Sequence, residues 1–153
     1  MTTDDELRRL AIHPDGSAVV CRKAVAADQA YCAKTWTLSL ASAEVMSRTD
    51  ASKLVDRILN DRASRCVVAC EPDDAHAIVG FLVHALATRT RCIHYVNVRR
   101  PRRNQGIARA MMRFAGLDDA VTLPLVYTLD GPSAHSLLQK FRATKVSLED
   151  VLS

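Results

Sequence analysis

Between Tyr95 and Ala108 the chain reads Tyr-Val-Asn-Val-Arg-Arg-Pro-Arg-Arg-Asn-Gln-Gly-Ile-Ala. An apolar run turns into arginines, then into a glycine with small residues behind it. These residue types in this order suit the binding of an anion. A helix that starts at Gly106 has first-turn amides with no intrahelical acceptor, and the aligned peptide dipoles add partial positive charge at that end. A phosphate group can rest on those amides. Gly106 removes the side chain that would stand in its way, and Ala108 keeps the next contact small. Arg103 can add a charge-assisted bond from the rim. The alternative is a helix that begins at a glycine by accident.

Such a site needs a strand to deliver the loop and a helix to receive it. Cys92 to Val98 reads as the strand. Gly106 to Ala115 reads as the helix, with Ile107, Met111 and Phe114 on one face and Gly116 as its stop. Two more strands precede them, Cys66 to Cys70, closed by Glu71-Pro72-Asp73-Asp74, and Ile78 to Leu86. Thr88 to Arg91 joins the second to the third, and links this short predict an antiparallel meander. Val121 to Thr128 is another strand, and because Pro124 cannot donate to a ladder the strand should be unpaired or splayed there. Asp130-Gly131-Pro132-Ser133 opens a last helix carrying Leu137, Leu138 and Phe141, and the tail from Lys145 to Ser153 has room for one short strand.

Upstream, the pattern predicts a helix from Asp4 to Ile12, a turn at His13-Pro14-Asp15-Gly16 and a strand from Ala18 to Lys23. A helix follows from Ala27 to Ala41, with Cys32, Trp36 and Leu40 on its apolar face. Asp50 is the expected N-cap of the next, which carries Leu54, Val55, Ile58 and Leu59 at core spacing.

The length of 153 residues fits a single domain over 1–153. The longest apolar run, Ala77 to Ala87, is interrupted by Gly80 and His84 and is about half of what a membrane span needs. The start, Met1-Thr2-Thr3-Asp4-Asp5-Glu6, is acidic where a signal peptide would be basic, so the cytoplasm is the expected compartment. The five cysteines, Cys21, Cys32, Cys66, Cys70 and Cys92, lack metal-site spacing. Cys66 and Cys70 would share one face of a strand, as two small buried thiols that stay free in a reducing compartment. Eight arginines, Arg89, Arg91, Arg99, Arg100, Arg102, Arg103, Arg109 and Arg113, fall within 25 residues. They ask for an anionic partner, a phosphorylated cofactor or a nucleic acid. For Arg89 and Arg91 a solvated basic face is the competing reading.

Arg103-x-x-Gly106-x-Ala108, with Val98 eight residues before the glycine, resembles the Arg/Gln-x-x-Gly-x-Gly/Ala signature of the GNAT acyltransferases. The flanking order of meander, loop, helix, strand and helix strengthens the match, which covers about Cys66 to Ala143. The resemblance implies a mixed α/β fold of the α+β type. It would have a mostly antiparallel central sheet of about six strands, helices on both faces and a truncated C-terminal end. It implies acetyl-CoA as cofactor, acetyl transfer to an amine, and a small-molecule or macromolecular acceptor. Backbone groups of Val96, Asn97 and Val98 would bind the pantetheine arm like an added strand. The amides of Asn104, Gln105, Gly106, Ile107 and Ala108, with Arg103, would hold the pyrophosphate. The acyl group would lie in the splay between the strands ending at Val98 and running from Val121 to Thr128. With only ten residues after Ala143, a second subunit could complete the sheet edge, which points to a homodimer.

A second set, Ala30-Tyr31-Cys32-Ala33-Lys34-Thr35-Trp36 with Ile93-His94-Tyr95-Val96, resembles small GNAT-like proteins of tailed bacteriophages, similar to the DNA-modifying protein of Mu-type phages. That resemblance would make a nucleobase amine the acceptor, with the basic 99–113 region on nucleic acid. A catalytically inactive CoA-binding or interaction module is the third reading.

Acyl transfer from a thioester needs a base for the amine, a donor for the oxyanion and, optionally, an acid for the thiolate. His94, on the strand before the loop, is the candidate base. A hydrogen-bonded core histidine is its alternative, and His84 shares that ambiguity. His13 and His76 read as surface. The family pattern Asn-x-x-Ala-x-x-x-Tyr falls on Gly131, Ala134 and Leu138, so its asparagine and its tyrosine are missing. Ser133, His135, Ser136 and Tyr127 are the polar substitutes, with Tyr127 and Ser133 the catalytic candidates beside His94. Trp36 reads as packing, and Tyr31, off that stripe, as a possible wall of the acceptor site. Arg99, Arg100 and Arg102 are candidates for the adenosine-side phosphate of CoA or for a nucleic-acid acceptor.

Overall fold

The computed structural model describes residues 8–12, 18–86, 91–117, 125–127 and 144–145. Among the described residues seven strands form one sheet in the order of the chain, where about six were expected. They are β1 (Arg8–Ile12), β2 (Ala18–Lys23), β3 (Ser64–Glu71), β4 (Asp74–Leu86), β5 (Arg91–Val98), β6 (Leu125–Tyr127) and β7 (Thr144–Lys145). The first five pair antiparallel. The pairs β5–β6 and β6–β7 are parallel. Helices α1 (Ala26–Ser42) and α2 (Arg48–Leu59) follow β2, and α3 (Ile107–Phe114) follows β5. None of the described helices is long and apolar enough to cross a membrane.

The expectation of a helix from Asp4 to Ile12 is corrected: residues 8–12 are a strand, paired Arg8 to Arg22 through Ile12 to Ala18. A helix this short is marginal in water, whereas a neighbouring strand supplies a full ladder of partners. The expected N-cap of α2 is corrected as well. Ser47 is the cap, its hydroxyl accepting from the Asp50 amide at 3.1 Å, and Asp50 lies in the first turn, where its charge favours the dipole.

The sheet has a core on each face. On one, Cys32, Trp36 and Leu40 of α1 and Ala51, Val55 and Ile58 of α2 pack on Val68, Cys70, Phe81, Val83 and Tyr95. On the other, Ile107, Met111 and Met112 of α3 pack on Val19, Cys21, Leu82, Ile93, Val96 and Val98. Trp36 serves as packing, stacked on Tyr95 at 5.1 Å between centroids. Cys66 and Cys70 share the α1/α2 side as expected, and all five cysteines are free thiols.

The start of α1 is fixed by an ion pair. Arg22 reaches both carboxylate oxygens of buried Asp28, at 2.5 and 3.1 Å, and the Ala75 carbonyl at 2.8 Å. Asp28 also accepts from the Val25 amide at 2.8 Å, satisfying one of the helix's orphan donors. The Arg22 guanidinium holds the Asp28 carboxyl below the usual carboxylate range.

Candidate functional site

The site is built around β5. On one side β5 pairs with β4 along most of its length, Arg91 to Leu86 through Val98 to Gly80. On the other, its ladder to β6 comprises Arg91–Leu125, Cys92–Val126 and Ile93–Tyr127. Among the described residues the rest of that edge, 94–98, has no strand beside it. An extended chain with amides of its own could add there as one more strand. The expected splay would begin beyond Tyr127, and the residues that follow Tyr127 lie outside those described. Pro124, to which it was ascribed, lies outside the described residues.

Just past Ile93, β5 carries a bulge. Val83 faces Tyr95 while His84 faces Ile93, so His94 is an extra residue on β5. The inserted residue changes the phase of the strand. Ile93 faces α3 whereas Tyr95, two positions on, faces α1 and α2, and Val96 and Val98 face α3 again. In a regular strand Ile93 and Tyr95 would share a face. His94 is fully buried, and its imidazole is pushed down to about 4 by burial, with Asp61 opposing. His84, also buried, is pushed to about 4 by burial and by the charges of Arg65 and His94. Both rings are therefore neutral at pH 7.

A second bulge lies in β4, where Ala69 faces Gly80 and Cys70 faces Ile78. Gly80 lets the backbones close up there: a Cβ on it would stand 2.8 Å from the Asn97 carbonyl oxygen and 3.3 Å from Met111 Cε. Gly80→Ala is expected to lower stability by about 1–3 kcal/mol, the usual result of overpacking against a backbone that must move. The urea midpoint measures this, and an unchanged midpoint would show that β5 gives way without cost.

At the end of β5 the Arg99 amide bonds the Val79 carbonyl at 2.8 Å, and Arg100–Arg102 form a single 3-10 turn. Arg102 is not a free phosphate ligand, which corrects the expectation for it. Its guanidinium holds both oxygens of Glu71 at 2.8 and 3.0 Å and the Ala18 carbonyl at 3.0 Å, lashing the loop to β2 and β3. Arg103 turns back so that its Nε donates to the Val98 carbonyl at 2.8 Å. Arg99, Arg100 and Arg103 are exposed. Asn104 and Gly106 then adopt left-handed backbone, φ 64° and 78°, which asparagine and glycine tolerate best. Turns of this kind gather amides into concave anion sites.

Gly106 caps α3 without a side-chain bond, and its carbonyl accepts from the Ala110 amide. The Ile107 and Ala108 amides therefore point out of an uncapped N-terminus, over buried Ile107 and half-buried Ala108. Gln105 is half-buried beside them, its Oε1 enclosed and without a hydrogen-bond partner among the described residues. At the other end, Arg91 is 5% exposed and donates to the Leu117 carbonyl at 2.9 Å. The solvated reading of Arg91 is thus corrected: its charge complements the C-terminal end of α3. Arg89 lies outside the described residues.

Val96 and Val98 are buried against α3, and Asn97, on the opposite face, donates from Nδ2 to the Tyr95 hydroxyl at 3.4 Å. Tyr31 is 38% exposed and meets the Phe81 ring edge-on at 6.4 Å. Tyr127 is placed by its backbone opposite Ile93, one residue before the bulge. Ser133, with the rest of the expected last helix, lies outside the described residues. The bulge at His94, the Arg102–Glu71 tether and the Arg91 cap escaped the sequence reading. Each depends on a partner 10 or more positions away, with no local signal.

No protein-family model matches the chain, and no curated protein matches it in sequence. Solved structures do match in fold. A possible acetyltransferase from Clostridium difficile 630 is similar over 84% of this chain and 92% of its own, with a TM-score of 0.57 and 15% identity. The ribosomal-protein-alanine N-acetyltransferase of Brucella melitensis biovar Abortus 2308 is similar over 80% and 90%, with a TM-score of 0.58 and 16% identity. An acetyltransferase of the GNAT family from Staphylococcus aureus Mu50 is similar over 80% and 82%, with a TM-score of 0.55 and 14% identity. The mostly antiparallel sheet with helices on both faces is the fold of the GNAT acetyltransferases.

Proposed function

We propose that the protein is an acyl-CoA-dependent N-acetyltransferase acting on an amine. One observation carries this reading: the 94–98 edge of β5, which has no strand beside it among the described residues, leads directly into an uncapped helix with left-handed Asn104 and Gly106 before it. An edge that can take an extended amide chain, followed within one loop by an anion cradle, suits a ligand with both parts. Coenzyme A has both, a pantetheine arm with two amides and a pyrophosphate.

In this reading the backbone of Val96, Asn97 and Val98 binds the arm. The amides of Asn104, Gln105, Gly106, Ile107 and Ala108 hold the pyrophosphate, with Arg103 at the rim. Acetyl-CoA, when bound, would supply the acetyl thioester. His94 is kept neutral by burial and so is able to accept a proton from the acceptor amine across the physiological range. The same burial makes it a weak base, which sets its contribution near the low end for such groups. Tyr127 and Ser133 are the candidates for returning a proton to the thiolate. A thiol is acidic enough, with a pKa of about 8.5, to leave without help.

Calorimetric titration with acetyl-CoA tests the cofactor, and micromolar binding is expected. Turnover is then sought on a panel that begins with alanine-bearing peptides, because the Brucella neighbour is a ribosomal-protein-alanine N-acetyltransferase. It continues through small polyamines to duplex DNA. With a competent acceptor, His94→Gln should lower kcat by about 10²-fold, and a near-normal rate would remove His94 from the chemistry. Binding without turnover on any amine would make the protein a CoA-binding module. Absence of binding would sink the acetyltransferase reading.

A further inference from the structure

Cys32 on α1 and Cys66 on β3 are 34 positions apart in sequence, yet the Cys66 thiol donates to the Cys32 sulfur with the two atoms 3.9 Å apart. Cys32 is fully buried, and Cys66 is partly exposed at the start of its strand. Neighbouring contacts hold both ends. The Cys66 carbonyl accepts from the Ala24 amide at 3.0 Å, just before α1, and Cys32 lies one helical turn before Trp36 in the core stripe. The sulfurs need to close by about 1.9 Å to bond.

We propose that Cys32 and Cys66 form a peroxide-sensitive dithiol, a modification site at which oxidation joins α1 covalently to β3. The exposed partner reacts first: Cys66 thiol and a hydroperoxide give a Cys66 sulfenic acid and water (or the corresponding alcohol), the sulfur being oxidised and the peroxide oxygen reduced. Cys32 sulfur then attacks the Cys66 sulfur. The S–S bond forms and the S–O bond breaks. The hydroxide leaves with the Cys32 proton as a second water. The hydrogen bond shared with Cys66, and then burial, push the Cys32 thiol well above its ordinary range, so this second step is the slow one. The product closes the chain between α1 and β3 around α2 and clamps the helical face of the sheet. It lies across the sheet from α3, and the inference does not depend on which ligand α3 binds.

The test treats the full native chain with hydrogen peroxide, blocks remaining thiols by alkylation and analyses the digest by mass spectrometry without reduction. We expect a peptide pair linked through Cys32 and Cys66, and three alkylatable thiols where the reduced protein has five. The urea midpoint should rise on oxidation and return with dithiothreitol, because the link restricts the unfolded chain. Cys66→Ser should fold normally, since that side chain is only half-buried, and should lose both the link and the shift. Independent oxidation of the cysteines to sulfinic acids, or links between other pairs, would overturn the proposal. So would five alkylatable thiols remaining after treatment.

Discussion

Gly106→Glu is expected to weaken acetyl-CoA binding at least 100-fold while leaving the far-ultraviolet circular dichroism of the parent. Two effects act in the same direction. The backbone at this position has φ 78°, which costs a residue with a Cβ about 1–2 kcal/mol. The new carboxylate would also stand where the pyrophosphate is proposed to lie. At an effective dielectric of about 20, two unit charges about 4 Å apart repel by about 4 kcal/mol. A hundredfold loss requires only about 2.7 kcal/mol. The carboxylate has a further option, since it can turn onto the open amides of Ile107 and Ala108 and occupy them itself. Gly106→Ala separates the contributions: it carries the backbone strain without the charge, and its affinity should fall between parent and Gly106→Glu. If the glutamate variant binds acetyl-CoA like the parent, the phosphate assignment at α3 is wrong even if the protein proves to be an acetyltransferase. If the parent does not bind at all, the cofactor reading itself fails, and the comparison keeps those two failures apart.

The parts of this site that were legible in the sequence are those governed by local rules. Gly106 and Gly116 bracket α3, and both adopt the left-handed backbone that makes glycine the natural residue there. The stripe of Cys32, Trp36 and Leu40 is buried as its spacing demanded, because helical period alone decides which face turns inward. The meander of β3, β4 and β5 followed from short links between apolar runs. Tertiary pairing was less visible. Residues 8–12 carry no strong strand signal and become a strand because β2 lies alongside. Arg91 and Arg102 look like their exposed neighbours in composition, and only the fold brings the Leu117 carbonyl to one and Glu71 to the other. The bulge at His94 was hidden for the same reason. Ile93, Tyr95 and Val96 are all apolar, so the sequence permits either phase, and the choice is made by the two cores on opposite faces. A bulge that reverses the strand's phase is thus a property of the sheet, and it lies at the start of the 94–98 segment on which the proposed cofactor binding rests.

Acid should unfold this protein early, and the two buried histidines should account for most of the effect. Imidazole ordinarily titrates near 6.5, and burial pushes both His84 and His94 down to about 4 in the folded state. Between those values the unfolded chain binds protons that the folded chain refuses, so the stability toward unfolding falls as pH falls from about 6.5 to about 4. Above 6.5 neither state is charged and the slope from this source vanishes. Each histidine is worth about 3 kcal/mol across the full window, at about 1.4 kcal/mol per pH unit. By pH 4.5 the pair should have removed about 5 kcal/mol, against a total stability of about 5–15 kcal/mol for a domain. Asp28 acts in the same direction but lower. Its carboxyl is held below the ordinary 3.8 by Arg22, so its contribution is intact above that value and is lost only as pH falls through the depressed folded value. A series of urea titrations from pH 7.5 to 4.5 therefore isolates the histidines. His84→Gln and His94→Gln should each flatten the slope by about half, and the double variant should nearly remove it. A parent whose midpoint stays constant over this range would mean that one or both rings are solvated or protonated in the fold. In that case His94 would no longer be the neutral buried base on which its place in the acyl transfer depends.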